Sequence, residues 1–287
     1  MKKPASPPAP ARGAGIRAKR SLGQHFLRDR EVLGKIVQAA GLSAADRVLE
    51  IGAGDATLTA PLSRSCGRLI ALETDHRRVP ALLERFPAGG PVEIVDADIL
   101  TFDLQSLRPH VPLKCVSNLP YNIATAVLER LLTCRGMFSL LVLMFQKEVA
   151  RRLVAGPGEA AYGSLSLATQ YRAEAGLLFT VPRGAFSPPP EVESAVVRLV
   201  PRPAPLLPPE PERVFERLLR AGFGHRRKTF LNANAAAARP LPREALAAGL
   251  AALGLTERAR AEELSLENFL RLAELLASRQ GALSPGA

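Results

Sequence analysis

Tryptophan is absent from the 287 residues, and aromatics make up only 5% of them. No indole is available to stack on or anchor a ligand, so each Phe and Tyr is worth locating singly. Cysteine is scarce: Cys66, Cys115 and Cys134 are odd in number, widely spaced and form no Cys-x-x-Cys pair. That usage argues against a disulfide framework and a zinc site and fits a reducing cytoplasm. The three thiols read as small buried apolar groups, and no metal is expected. Long apolar runs are missing too. None reaches the ~18 residues that a spanning helix needs, and the longest, Phe138 to Phe145, is strand-sized. The N-terminus lacks the apolar region of a signal peptide, so no membrane partner is expected.

Acidic residues are outnumbered: 27 Asp and Glu face 38 Lys and Arg, a formal net charge of +11. Such a balance favours polyanionic partners, because each phosphate neutralised by Lys or Arg releases bound counterions. The basic residues cluster. Lys2, Lys3, Arg12, Arg17, Lys19, Arg20, Arg28 and Arg30 face one acid, Asp29, and His225-Arg226-Arg227-Lys228 forms a second concentration far downstream. Two separated basic clusters suggest a nucleic-acid footprint.

At roughly 150 residues per domain, the length suggests one large domain and a smaller one. Residues 1–18, rich in Pro, Ala and Gly, read as a disordered basic arm. Val32, Leu33, Ile36 and Val37 have helical spacing. Strands are then expected at 47–51, 68–72, 92–95, 113–117 and 139–145, with helices at 57–65 and from the second strand to about Phe86. Apolar strands alternating with helices imply an α/β fold with a parallel, doubly wound sheet, whose ligands bind at the carboxyl ends of the strands. Beyond Phe186 the pattern changes. Residues 194–200 alternate like a strand, 201–211 read as a proline-rich linker, and 212–220, 241–253 and 266–278 read as helices. The boundaries expected are 19–202 for the α/β domain and 203–287 for a small helical one.

The first strand runs into Glu50-Ile51-Gly52-Ala53-Gly54-Asp55-Ala56-Thr57. Glycines there let the backbone approach a ligand closely. The third glycine of a dinucleotide loop is missing, with Thr57 in its place, and Glu50 and Asp55 flank the turn. A pyrophosphate on a helix N-terminus is disfavoured by such neighbours, which counts against a dehydrogenase. A nucleoside carrying an ammonium and a sulfonium, S-adenosylmethionine, is favoured by them. The second strand ends at Glu73, where an acid can accept both ribose hydroxyls. The third ends in Asp96-Ala97-Asp98, and Asp98 is the candidate acceptor for the adenine amino group. Glu50, Gly52, Gly54, Glu73 and Asp98 are therefore candidate cofactor residues.

Asn118-Leu119-Pro120-Tyr121 follows the fourth strand. An aromatic amine such as adenine N6 is a poor nucleophile, because its lone pair is delocalised into the ring. The Asn118 side-chain carbonyl and the Pro120 backbone carbonyl would accept its hydrogens and stabilise the positive charge that develops during attack. Tyr121 offers a stacking face.

The ordered motifs resemble the ribosomal RNA adenine dimethyltransferase family from about Lys19 to Asn268. They are Gly23-Gln24-His25-Phe26-Leu27, Glu50 to Gly54, Asn118 to Tyr121, Gln146-Lys147-Glu148-Val149, Tyr162 to Ser166, Phe186 to Ser194 and Arg226-Arg227-Lys228-Thr229. The resemblance implies a Rossmann-like class I methyltransferase sheet with a C-terminal helical domain. It implies dimethylation of two adjacent adenines near the 3′ end of 16S rRNA, within the small ribosomal subunit or its precursor; separately from the resemblance, a monomer is expected. It further implies that Gln24, Phe26, Leu27, Gly52, Glu73, Asp98 and Asn118 border the cofactor. Phe186 would close the target pocket opposite Tyr121, and Arg226, Arg227 and Lys228 would contact the RNA backbone. Ala53 stands where family members commonly have Pro, and Asp55 where they have a neutral residue. The nearest rival is a macrolide-resistance methyltransferase acting on large-subunit RNA; a non-catalytic binding factor of the same fold is a further alternative.

Overall fold

A computed structural model describes residues 25–225, 227–238 and 241–282. Gln24, Arg226 and the basic arm lie outside the described residues. The first half alternates strands and helices: β1 (Phe26–Leu27), α1 (Arg30–Ala40), β2 (Arg47–Ile51), α2 (Thr59–Ser63), β3 (Arg68–Glu73), α3 (Val79–Arg85), β4 (Val92–Asp96), β5 (Leu113–Asn118), α4 (Ala124–Thr133) and β6 (Phe138–Gln146). There follow α5 (Lys147–Val154), α6 (Ser164–Arg172), β7 (Ala173–Val181), β8 (Phe186–Ser187) and β9 (Ser194–Pro201). The chain then turns helical, with α7 (Pro209–Gly224), α8 (Phe230–Ala235), α9 (Arg243–Ala252) and α10 (Leu266–Ala282).

Seven strands form one sheet in the order β4-β3-β2-β5-β6-β9-β7. The first five pair in parallel, and β9 runs antiparallel to both β6 and β7. The sheet is thus mixed rather than wholly parallel. Strand β7 escaped the sequence pattern for a physical reason. As the edge strand it is buried mainly at its ends, with Leu177 and Leu178 exposed, so its residues show no clean alternation.

Alternate residues of the inner strands serve opposite faces, as a period of two requires. Leu49, Cys115, Leu141, Leu143 and Phe145 pack with α4 and α5, whereas Val48, Val116, Val142 and Met144 pack with α1 and α2. Burial on both faces explains why these strands read as continuous apolar runs. Cys66 and Cys115 are buried, and burial pushes their thiols up to about 11 and about 12, so neither presents a reactive thiolate.

A third core joins α6 to the C-terminal helices, and the scarce aromatics concentrate there. Tyr171 stacks on Phe215 with ring centroids 4.5 Å apart, and Phe269 meets Phe230 edge-on at 5.4 Å. The Tyr162 hydroxyl donates to the Leu264 carbonyl at 2.8 Å. The expected linker over 201–211 is shorter than its prolines suggest. Strand β9 reaches Pro201, and α7 begins at Pro209. Proline in the first helical turn costs no hydrogen bond and already has the helical φ.

Candidate active site

The order of the sheet reverses between β2 and β5, the two strands that carry the principal motifs. Their ladder stops at Leu49 opposite Cys115. Beyond it the Ser117 hydroxyl accepts from the Ile51 amide at 2.8 Å, and the strands part into two loops. A crevice at the carboxyl ends, at a reversal of strand order, is where open α/β sheets bind ligands.

The first loop turns on Gly52 and Gly54, at φ 80° and 56°. Gly52 and Ala53 donate to the Leu72 carbonyl at 2.8 and 3.1 Å. Gly54 donates to Glu73 Oε2 at 2.7 Å, and Asp75 donates to Glu73 Oε1 at 2.8 Å. Glu73 therefore shapes the glycine turn from the end of the neighbouring strand, and each of its oxygens retains a lone pair. Glu50 is 1% exposed, and its Oε2 has no hydrogen-bond partner. Burial pushes its carboxyl up to about 8, with Thr59 opposing and the Glu73 charge adding to the rise. The Thr59 hydroxyl also falls short of a full hydrogen bond.

A buried acid with one unpartnered oxygen at a glycine turn suits a cationic ligand. It also has a measurable consequence. Glu50 keeps its proton to about pH 8 in the fold, against 4.5 ordinarily, so the native chain binds more protons between those values. Stability of the ligand-free protein from this group should fall as pH rises through that window. Glu50→Gln should flatten the decline in thermal unfolding; an unaltered pH slope would contradict the assignment.

The Asp55 carboxylate, which flanks the turn, is taken up by two arginines. It is ion-paired with both Arg28 and the buried Arg78. Arg78 in turn lies 4.3 Å from the centroid of the Phe26 ring. Phe26 covers Gly54 so closely that a Cβ there would meet the ring at 3.0 Å. With φ positive as well, Gly54→Ala should strain the loop and displace Phe26, lowering stability by about 1–2 kcal/mol and weakening cofactor binding roughly tenfold. Differential scanning and ligand titration would test this, and binding equal to the parent protein's would refute it.

Asp98 is exposed, two residues past the end of β4, and its Oδ1 accepts from the Leu100 amide at 2.8 Å. The acid in register with Glu73 is Asp96, and its Oδ1 lies 2.6 Å from His76 Nδ1.

The second loop begins at Asn118. Its amide nitrogen donates to the His25 carbonyl at 3.1 Å. A carbonyl only accepts, so this contact assigns the amide orientation and leaves Oδ1 as an available acceptor. The Pro120 carbonyl accepts from the Ile123 amide at 3.2 Å and keeps a second lone pair. Pro120 Cδ would sit 3.9 Å from a Cβ on Gly52, which brings the two loops into contact. The Tyr121 and Ser194 hydroxyls hydrogen-bond to each other. Burial raises the Tyr121 hydroxyl above its ordinary value, with Ser194 opposing.

Phe186 pairs with Leu27 in the antiparallel ribbon β1–β8 and is 4% exposed among the apolar side chains packed with α1. The ring stacked on Tyr121 is His25, at 5.6 Å and 26°. His25, Arg78 and Ser194 carry contacts that the sequence reading did not assign. For His25 the signal was its place inside the Gly23 to Leu27 motif; Arg78 had none. Arg227 and Lys228 are exposed at the turn between α7 and α8, remote in sequence from both loops. Among the described residues no helix is long and apolar enough to cross a membrane, and no cluster of metal-ligating side chains is found.

Sheet order, glycine turn and strand-end acids together define a Rossmann-like methyltransferase. Solved structures agree. A dimethyladenosine transferase from Plasmodium falciparum superposes with a TM-score of 0.72 at 28% identity, covering 86% of this chain and 96% of that one. The 23S rRNA methyltransferase ErmE gives 0.71 at 28% identity, covering 88% and 99%. Curated relatives named "Ribosomal RNA small subunit methyltransferase A" are 42% identical in Geobacter sulfurreducens, over 95% of this chain and 100% of the relative. In Pelotomaculum thermopropionicum the relative of that name is 44% identical, over 91% and 92%. Residues 15–278 match the family described as "Ribosomal RNA adenine dimethylase". The chain belongs to the ribosomal RNA adenine dimethylase family, and is an enzyme.

Proposed function

We propose that this enzyme dimethylates N6 of two adjacent adenosines near the 3′ end of small-subunit ribosomal RNA, with S-adenosylmethionine as methyl donor. The observation that carries this reading is the Asn118 amide, turned by the His25 carbonyl so that Oδ1 is left to accept beside the glycine turn. The small-subunit target is supported by the relatives at 42% and 44% identity.

The donor's site would be formed by Gly52 and Gly54, with Glu73 reaching the ribose and Glu50 facing cationic groups from below. Asp98 would take the adenine amino group, and Phe26, Leu27 and Asn118 would border the site. The donor supplies an electrophilic methyl group. The orphaned Glu50 Oε2 and the close-approach glycines fit such a ligand.

Asn118 Oδ1 and the Pro120 carbonyl would accept the two N6 hydrogens, drawing the flat nitrogen toward tetrahedral geometry. As positive charge develops on that nitrogen, the same two dipoles stabilise it without reorganising. Tyr121 would stack on the base, with Phe186 closing the other side. No strong base is needed, because an ammonium-like product loses its proton to water. The remaining contribution is alignment of amine and methyl carbon.

We assign residues 19–202 to catalysis and 203–287 to RNA binding, with Arg226, Arg227 and Lys228 on the phosphate backbone and the enzyme acting as a cytoplasmic monomer. Purified, undermethylated small subunits should acquire four methyl groups on two adjacent adenines, mapped by mass spectrometry. Methylation of large-subunit RNA instead would overturn the assignment.

A further inference from the structure

Asp55 has no part in the chemistry above, yet separate segments of the chain meet at its carboxylate. Arg28, just after β1, and Arg78, at the start of α3, both pair with it. Arg78 is 4% exposed and keeps its charge, so its burial calls for compensating anions. Asp55 supplies one and Asp75, at 3.5 Å, another. The Arg28 and Arg78 guanidinium groups also lie 5.8 Å and 4.3 Å from the centroid of the Phe26 ring, which covers Gly54. The contacts thus close a circuit from β1 through the glycine turn to the strand end that carries Glu73.

The members of this circuit differ in how firmly they are held elsewhere. Phe26 and Leu27 pair with Ser187 and Phe186, and the Arg28 amide donates to the Ala185 carbonyl at 2.7 Å. The Arg78 amide donates to the Asp75 carbonyl at 2.8 Å, and Arg77 grips the Asp75 carboxylate at 2.6 and 2.7 Å. The turn is the compliant member, because Gly52 and Gly54 sit at positive φ and glycine has the most conformational freedom to lose. We propose that Asp55 is a positioning residue: with Arg28 and Arg78 it clasps the glycine turn in the form that receives the methyl donor, so that the turn is ordered before the donor arrives. The inference rests on the donor site proposed above. Direct capture of the donor's ammonium by Asp55 is disfavoured, since Oδ2 is taken by Arg28 and Oδ1 by Arg78.

Wild type, Asp55→Asn, Asp55→Glu, Arg28→Gln and the Asp55→Asn/Arg28→Gln pair would be titrated calorimetrically with S-adenosylhomocysteine and assayed on undermethylated small subunits. Asp55→Asn should raise the Kd for S-adenosylhomocysteine and the KM for S-adenosylmethionine roughly tenfold. Its kcat at saturating donor and its KM for the subunit should stay within about twofold, the pattern of a lost binding contribution rather than a lost catalytic one. Asp55→Glu keeps the charge and should recover most of the affinity. Arg28→Gln should weaken binding by about threefold, since half of that side chain is in solvent, and the pair should be no weaker than Asp55→Asn alone, because both changes open one clasp. A lowered melting temperature with unchanged donor affinity in Asp55→Asn would overturn the proposal, by showing that the cluster only supports the fold. Additive losses in the pair would overturn it too, as would a loss beyond about 100-fold in Asp55→Asn, the mark of a direct ligand. Failure of the wild-type protein to bind S-adenosylhomocysteine would remove the donor site itself, and is distinguishable because it needs no variant.

Discussion

Asn118→Ala should lower methyl transfer about 10²- to 10³-fold while leaving donor binding within a few-fold, the loss expected when one preorganised dipole is removed from a developing charge. The expectation comes from the division of labour within this side chain. Nδ2 is committed to the His25 carbonyl, so the oxygen is the functional end. Asn118→Asp sharpens the test. It keeps an accepting oxygen but sets a carboxylate against the His25 carbonyl, so it should retain more activity than alanine and less than asparagine. Single-turnover transfer of labelled methyl, with calorimetric titration of the donor, separates the two effects. Activity within about threefold of wild type in Asn118→Ala would show that the oxygen takes no part.

Glu73→Ala should weaken donor binding by at least about 100-fold and lower the melting temperature as well. Two backbone amides, Gly54 and Asp75, donate to this one carboxylate, which is 4% exposed. Hydrogen bonds to a charged group contribute about 1.5–3 kcal/mol each, and leaving the buried donors unpaired costs about as much again as a typical desolvation. The same carboxylate is the proposed ribose acceptor, so structure and binding should be lost together. Glu73→Gln separates them in part. Its oxygen can satisfy one amide while its NH2 confronts the other, giving an intermediate loss in both measurements. Donor affinity preserved in Glu73→Ala would rule out the ribose contact.

The strand-end chemistry was legible because it depends on local order. Residues 47–51 and 113–117 are apolar runs long enough for a buried strand, and each motif follows at once, so a parallel sheet brings the two loops to one edge. Glu50 and Glu73 could be singled out for the same reason. Asp55 and Asp98 were less readable. The sequence shows that an acid is near the loop, whereas the Arg78 that pairs with Asp55 is 23 positions away, at the start of α3. Nothing in a local window announces that partner. Phe186 and His25 depend on still longer separations: 163 positions divide His25 from the Pro188 carbonyl that tethers it.

By themselves, the residues in order determined an α/β chain with a glycine turn, strand-end acids, an Asn-Leu-Pro-Tyr loop and a basic surplus, because strand length, φ freedom, side-chain type and charge are local properties. Tertiary structure decided which groups remain available. It neutralised Asp55 with two arginines, left the Glu50 Oε2 buried without a hydrogen-bond partner, turned the Asn118 oxygen free and set His25 against Tyr121. The physical reason is that a hydrogen bond or ion pair depends on distance in space, and only the folded sheet brings residues 25, 55, 118 and 121 within reach of their partners.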